Sequence, residues 1–199
     1  MTKPLLLIGA GGHAKTVLDA ALASGRTVLG LVDVDPKKIG QKIFSIPILN
    51  QTEALQNYRP DDVELVIAIG SIGDAHMREK MVHQFKALGY DFARVIHPHA
   101  IIGSDTSIGA GTVVLAGAII QSSCNIAEHV ILNTGSQMDH DCIIGSFTHL
   151  APGAVLCGSV HLEDHVHIGP NATVIQGKNI TRGCLIPSGT IVKNDIHNI

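Results

Sequence analysis

The chain has 199 residues, 45% of them hydrophobic and 3% aromatic, which is enough for two modest compact domains with aliphatic cores. A formal net charge of −3, with no Lys/Arg run and no basic-aromatic interleaving, argues against a nucleic-acid or acidic-membrane partner. No apolar run approaches the ~20 residues of a membrane span and the N-terminus carries no signal-peptide pattern, so a cytoplasmic protein is expected.

Residues 4–9 form a short apolar run ending in glycine, the pattern of a buried parallel strand. The glycine turn Gly9-Ala10-Gly11-Gly12-His13 follows, then an amphipathic helix with Val17, Leu18, Ala21 and Leu22 on one face, closed by Ser24-Gly25. A second strand, Thr27 to Val32, ends at Asp33, and a third, Val63 to Ile69, ends at Gly70-Ser71. Between them lie a Pro/Gly loop, the segment Ile46 to Leu49 and a helix capped by Thr52. A helix from about Asp74 to Leu88 and a strand near Ala93 to Ile96 complete about four strands, half of a doubly wound α/β fold.

The turn fits G-x-G-x-x-A, with the acidic Asp33 closing the second strand. Glycines there let a backbone approach a phosphate at a helix N-terminus, and the acid can accept from a ribose hydroxyl. Fewer than 100 residues supply one mononucleotide half, so a nucleotide-activated sugar suits this domain better than a dinucleotide. Pro98 marks the junction, giving an expected Rossmann-like domain over 1–97 and a second domain over 98–199.

The second domain is defined by a six-residue beat. Stepping from Ile102 through Ile120, Met138, Leu156 and Val174 to Val192, sixteen consecutive positions are Ile, Leu, Val or Met without a miss. At about one such residue in three, chance would give this with probability on the order of 10⁻⁸. The position two before each is small or β-branched, with Lys178 the exception. Such a period predicts a parallel β-helix in which three hexapeptides make one triangular 18-residue coil. Three of the four cysteines (Cys124, Cys142, Cys184) fall on the inward small position and read as reduced core residues. No convincing metal-ligand spacing is present; His165 and His167 are the weak exception, and no metal is expected.

On the outward positions, Asp139-His140-Asp141 places a histidine between two acids beside one corner. A carboxylate that fixes a ring tautomer and stabilises the imidazolium makes such a histidine a general base. Gly158 is one full coil later and should stack over His140, leaving room for a substrate and an exposed amide for an oxyanion. His149 is half a coil from His140, so the two rings leave different parts of the prism and could share a substrate only between chains.

The run Ile131-Leu132-Asn133-Thr134-Gly135-Ser136, then Asp139-His140-Asp141-Cys142-x-Ile144-Gly145-x-Phe147-x-His149, joined to Gly-Ala-Gly-Gly-His near the N-terminus, resembles the bacterial sugar acetyltransferases of the PglD/NeuD type. The likeness covers nearly the whole chain and implies a left-handed hand for the β-helix. It further implies His140 as general base supported by Asp141, His149 as an acetyl-CoA contact, and Gly11, Gly12, His13 and Asp33, with Gly70 beside them, as the site of a UDP-linked amino sugar. The coenzyme would lie between subunits of a homotrimer. Asp141 stands where the family has a glutamate, so Asp139 could share its role. The family's Gly-x-Pro-Ala-Lys ending is absent, so either the C-terminus is shortened or the adenine end of CoA is held differently. Pro170 and Ser188, which stack on Pro152, are expected to line the coenzyme groove. The resulting expectation is N-acetylation of a nucleotide-linked 4-amino-4,6-dideoxy sugar for bacterial glycan synthesis. The alternatives are O-acetylation of a sialic acid and, in another class, a non-catalytic trimeric scaffold.

Overall fold

The computed structural model describes residues 2–71 and 75–197. The chain divides into two compact units, Met1–Val95 and Ile96–Ile199.

The first unit is built on a five-stranded sheet. Strands β1 (Leu5–Ile8), β2 (Val28–Val32), β3 (Lys42–Ile43), β4 (Ile46–Leu49) and β5 (Glu64–Ile67) lie in the order β3-β4-β2-β1-β5. All pairs are parallel except β3 with β4. All four residues of β1 are buried, which is why that strand reads as an unbroken apolar run. Helices α1 (Gly12–Ala23), α2 (Gln51–Asn57) and α3 (Ala75–Ala87) connect the strands, with α1 contacting β2 and α3 contacting β5. Helix α2 is capped by Asn50, whose side chain accepts from the Glu53 N–H, and not by Thr52, which sits inside the first turn. Asp74, the expected start of the third helix, lies outside the described residues.

The strand expected near 93–96 does not join this sheet. Phe92 makes a single parallel bridge to Leu65, and Val95–Ile96 instead begins one wall of the β-helix, where the His97 N–H donates to the Val114 carbonyl. Ile96 is one six-residue step before Ile102, so the beat itself reaches further back than Ile102.

The second unit is a parallel β-helix with three walls. Wall 1 carries the six strands Ile101–Ile102, Ile119–Ile120, Gln137–Met138, Val155–Leu156, Thr173–Val174 and Ile191–Val192. Wall 2 carries five, from Ser107–Ile108 to Asn179–Ile180, and wall 3 six, from Val95–Ile96 to Leu185–Ile186. Partners are 18 residues apart, as in Ile119↔Gln137 and Ile131↔His149. The aliphatics from Val114 to Val192 stack inside as one buried core. Ile102 is 38% exposed and Ile108 partly so, because the first coil has only a partial coil before it to cover them.

The corners obey a second beat that hydropathy does not reveal. Every sixth residue from Asp105 to Gly189 has positive φ: Gly111, Gly117, Gly135, Gly153, Gly177, Gly183 and Gly189, but also Asp105, Ser123, His129, Asp141, Phe147, Ser159, His165 and Asn171. The left-handed conformation turns each corner, and Asp and Asn bear it at less cost than most residues. At the corner between walls 2 and 3, three such residues form a ladder. His129, Phe147 and His165 stack with centroids 5.2 Å apart and planes within 11°.

Candidate active site

The corner between walls 1 and 2 carries His140 and its two flanking acids. His140 follows Met138 and Asp139 out of wall 1, and Asp141 takes the corner's left-handed position with φ of 59°. That turn brings the Asp141 carboxylate 2.8 Å from the His140 ring, where Oδ2 accepts from Nδ1. Asp139 is otherwise engaged, its Oδ1 accepting from the backbone N–H of His140 at 2.9 Å. The side chain that orients the ring is therefore Asp141, while Asp139 braces the turn and adds charge. The Asp141 hydrogen bond, then the Asp139 charge, raise the His140 pKa above the usual imidazole value. With Nδ1 donating to a carboxylate, Nε2 is left as the basic atom.

Gly158 stacks on the ring. A Cβ added there would lie 2.6 Å from His140 Cε1 and 2.7 Å from Nε2, so only glycine leaves the ring in place. Among the described residues the Gly158 N–H has no intramolecular acceptor. An open groove of about 600 Å³ lies over this corner, lined by Asp139, His140, Cys157, Gly158, Ser159 and Gln176, with Gly177. An exposed imidazole and an open groove thus meet at one corner, while Gly158 is buried beneath the ring, not exposed as the stacking predicted.

His149 is buried on wall 3. Asn133 donates to its Nε2 at 3.0 Å, an orientation fixed because Asn133 Oδ1 accepts from the Thr134 N–H at 2.8 Å. Nε2 is then placed as an acceptor from the Asn133 amide. His167, directly across the ladder, meets the ring edge-on at 4.8 Å. Pro170 and Ser188 project from the corner between walls 3 and 1, where Gly189 N–H donates to the Pro170 carbonyl and Asn171 N–H to that of Pro152. The wall 3 strand that carries His149 runs into this corner. His140 and His149 leave the prism on different sides.

In the first unit, a cavity of about 330 Å³ opens at the C-terminal ends of β1, β2 and β5, where the order of connection reverses about β1. Gly11, Gly12, His13, Asp33 and Gly70 all line it. Gly9, with φ of 110°, brings the turn against β5's end, where a Cβ would meet Ile69 at 2.6 Å. Gly11 caps α1 with no side-chain hydrogen bond and no acid stands in the first turn, so the helix N–H groups are available to an anion. Burial, then the charge of Arg78, lower the His13 pKa to about 4, which makes it a neutral group at physiological pH. Asp33 accepts from the N–H of Ala10 at 2.8 Å, the N–H of Asp35 at 2.9 Å and Lys38 Nζ at 3.0 Å. Burial works against its charge, but these donors outweigh it and hold the pKa below the usual carboxylate range.

Several of these partners escaped sequence reading. His167 could have been found by adding 18 to His149. Asn133 is diagonal to His149 and sits on no simple step. Lys38 and the methionines Met77 and Met81, which also line the cavity, carried no motif.

No helix among the described residues is long and apolar enough to cross a membrane. The PglD N-terminal domain matches residues 4–85, and the bacterial transferase hexapeptide (six repeats) family matches residues 141–176. UDP-N-acetylbacillosamine N-acetyltransferase of Bacillus subtilis (strain 168) is 33% identical over 117 residues, 57% of this chain and 52% of that relative. The match thus spans about half of that curated relative's length. The acetyltransferase domain of PglB from Neisseria gonorrhoeae FA1090 superposes with a TM-score of 0.89 at 31% identity, covering 99% of this chain and 94% of that one. The same domain is known in complex with acetyl coenzyme A. PerB from Caulobacter crescentus, in complex with CoA and GDP-perosamine, gives 0.88 at 32% identity, covering 98% and 91%. With both families matched and a solved acetyltransferase domain matched over 99% of the chain at 31% identity, the chain belongs to the PglD/NeuD-type sugar acetyltransferases of the hexapeptide-repeat, β-helix superfamily.

Proposed function

We propose that the protein transfers an acetyl group from acetyl-CoA to the 4-amino group of a nucleotide-linked 4-amino-4,6-dideoxy sugar, in the cytoplasm, for bacterial glycan synthesis. The observation that carries the reading is the His140–Asp141 pair at 2.8 Å, on the rim of the open groove that His140 and Gly158 line together. The B. subtilis and C. crescentus relatives support the acceptor class, one by its named UDP-sugar activity and the other by its GDP-perosamine complex. The acetyl-CoA and CoA complexes of the relatives support the donor.

In this reading the sugar nitrogen attacks the thioester carbonyl carbon and His140 Nε2 takes the proton the amine loses. The Gly158 N–H meets the oxyanion of the tetrahedral intermediate. Collapse expels the CoA thiolate, which recovers a proton from the imidazolium, so base and acid are one residue. No acyl-enzyme is needed. The nucleotide is held by the crevice of Gly11, Gly12, His13, Asp33 and Gly70, with the diphosphate at the N-terminus of α1. His149, Pro170 and Ser188 line the acetyl-CoA path. Because His140 and His149 leave different sides of one prism, the working site lies between chains of a cyclic homotrimer.

A thiol-release assay with acetyl-CoA tests this against a panel of UDP-, dTDP- and GDP-linked amino sugars and free sialic acid. Turnover with a nucleotide amino sugar supports the proposal. Turnover with sialic acid alone would replace it by O-acetylation, and no thiol release with any acceptor would leave a scaffold.

A further inference from the structure

The crevice at the ends of β1, β2 and β5 poses an electrostatic difficulty for the ligand proposed for it. A nucleoside diphosphate sugar carries two negative charges, yet Asp33 lines the same cavity with its side chain only 11% exposed. The N-terminus of α1 offers about half a positive charge, too little to offset one full carboxylate charge. His13 adds none, being neutral at physiological pH. Among the described residues that line the cavity, the one cationic side chain is Lys38.

On the nucleotide-sugar reading of this crevice, we infer that Lys38 is a further ligand of the diphosphate, held ready for it by Asp33. The loop that carries Lys38 is itself fixed. The Asp35 N–H donates to Asp33 Oδ1 at 2.9 Å, the Lys37 N–H to Asp35 Oδ1 at 2.9 Å and the Lys38 N–H to the Asp35 carbonyl at 3.0 Å. The Lys38 ammonium then reaches back to Asp33 Oδ2 at 3.0 Å, the same oxygen that accepts from the Ala10 N–H at 2.8 Å. Two donors spread by about 120° around one oxygen hold their nitrogens about 5 Å apart. Ala10 belongs to the glycine turn that runs into α1 at Gly12, so a phosphoryl group can bridge from that helix end to the ammonium. Of the three N–H donors of Lys38, Asp33 takes one, and the other two have no protein acceptor among the described residues. The side chain is 37% exposed, so those two can meet a phosphate oxygen while the ion pair stays closed. Asp33 already accepts three hydrogen bonds, which leaves about one of a carboxylate's four acceptor sites for a ribose hydroxyl. The acid thus acts mainly through its neighbours, anchoring the glycine turn and aiming the cation. With the Asp33 charge offset by Lys38, the positive end of α1 is left to attract the diphosphate.

The test titrates the wild type, Lys38→Met and Lys38→Arg with UDP, dTDP and GDP by calorimetry, and measures the matching nucleoside by displacement of the diphosphate that binds. Lys38→Met should weaken the diphosphate at least 10-fold and the nucleoside less than twofold, and make the affinity less sensitive to added salt. Lys38→Arg should bind the diphosphate within threefold of the wild type. Equal weakening of nucleoside and diphosphate would overturn the inference, because Lys38 would then only shape the loop through Asp33. A Lys38→Met chain that binds the diphosphate as the wild type does would overturn it as well, with the crevice still a nucleotide site. A wild-type chain that binds none of the three diphosphates would remove the nucleotide-sugar reading itself, and the role of Lys38 with it.

Discussion

Replacing Gly158 by alanine isolates the position of the base from everything else at the corner. The new Cβ would stand 2.6 Å from His140 Cε1, against about 3.4 Å for the closest ordinary contact, so the ring must move by at least about 0.8 Å. The backbone of Gly158 is not in the left-handed region, so alanine brings no conformational strain, and its N–H is retained. His140 is exposed, so its ring can swing aside at little cost to folding, but doing so pulls Nδ1 from the Asp141 carboxylate at 2.8 Å. A displacement near 1 Å from a reactive alignment lowers rates by about 10²-fold. Gly158→Ala should therefore lose about 10² in kcat at saturating acetyl-CoA and acceptor, while its melting temperature stays within about 2 °C of the wild type. Thiol release measures the first and circular dichroism the second. A kcat within threefold of the wild type would refute the claim that the ring's seat on Gly158 sets the chemistry.

Since Asp141 and Asp139 raise the His140 pKa, and the neutral ring is the base, kcat/KM should climb with pH through a midpoint above the usual imidazole value of about 6.5. Asp141→Asn should move that midpoint down and lower the plateau about 10-fold; an unmoved midpoint would detach the acid from the base. Asp33→Ala removes the acceptor shared by Ala10, Asp35 and Lys38, and should raise the KM for the nucleotide sugar at least 10-fold with little effect on that for acetyl-CoA. Equal effects on both substrates would deny the crevice its acceptor role. Co-expressed His140→Ala and His149→Ala chains, each inactive alone, should recover activity in mixed oligomers, because some interfaces then pair an intact His140 with an intact His149. Mixtures as inactive as their parents would place each site within one chain.

The walls of the β-helix were legible because their period is carried by side chains that must be aliphatic, and the 18-residue coil placed Gly158 on His140 by arithmetic. The corners were not, because positive φ leaves no single mark: half of those positions are Asp, Asn, Ser, His or Phe, and only glycine announces itself. That gap hid the assignment of the supporting acid. Asp139 and Asp141 flank His140 symmetrically in sequence, and only the left-handed turn at Asp141 aims one carboxylate at the ring. The strand expected near 93–96 falls outside the first sheet for a related reason. Val95–Ile96 has the apolar look of a sheet strand, but its step of six belongs to the helix that follows. Asn50 and Thr52 are both good capping residues, and only the bond to the Glu53 N–H separates them. In the crevice, the turn and Asp33 were visible as a motif, whereas Lys38 reaches Asp33 through a loop whose course hydropathy does not record.

The most direct measurement of the central claim is the turnover of His140→Ala with both substrates saturating. Loss of a general base at an exposed corner should reduce kcat by roughly 10²–10⁴, leave the KM for acetyl-CoA and for the nucleotide sugar near their wild-type values, and leave folding intact. A variant that turns over within fivefold of the wild type would contradict the account, because proton removal would then belong to a group other than His140.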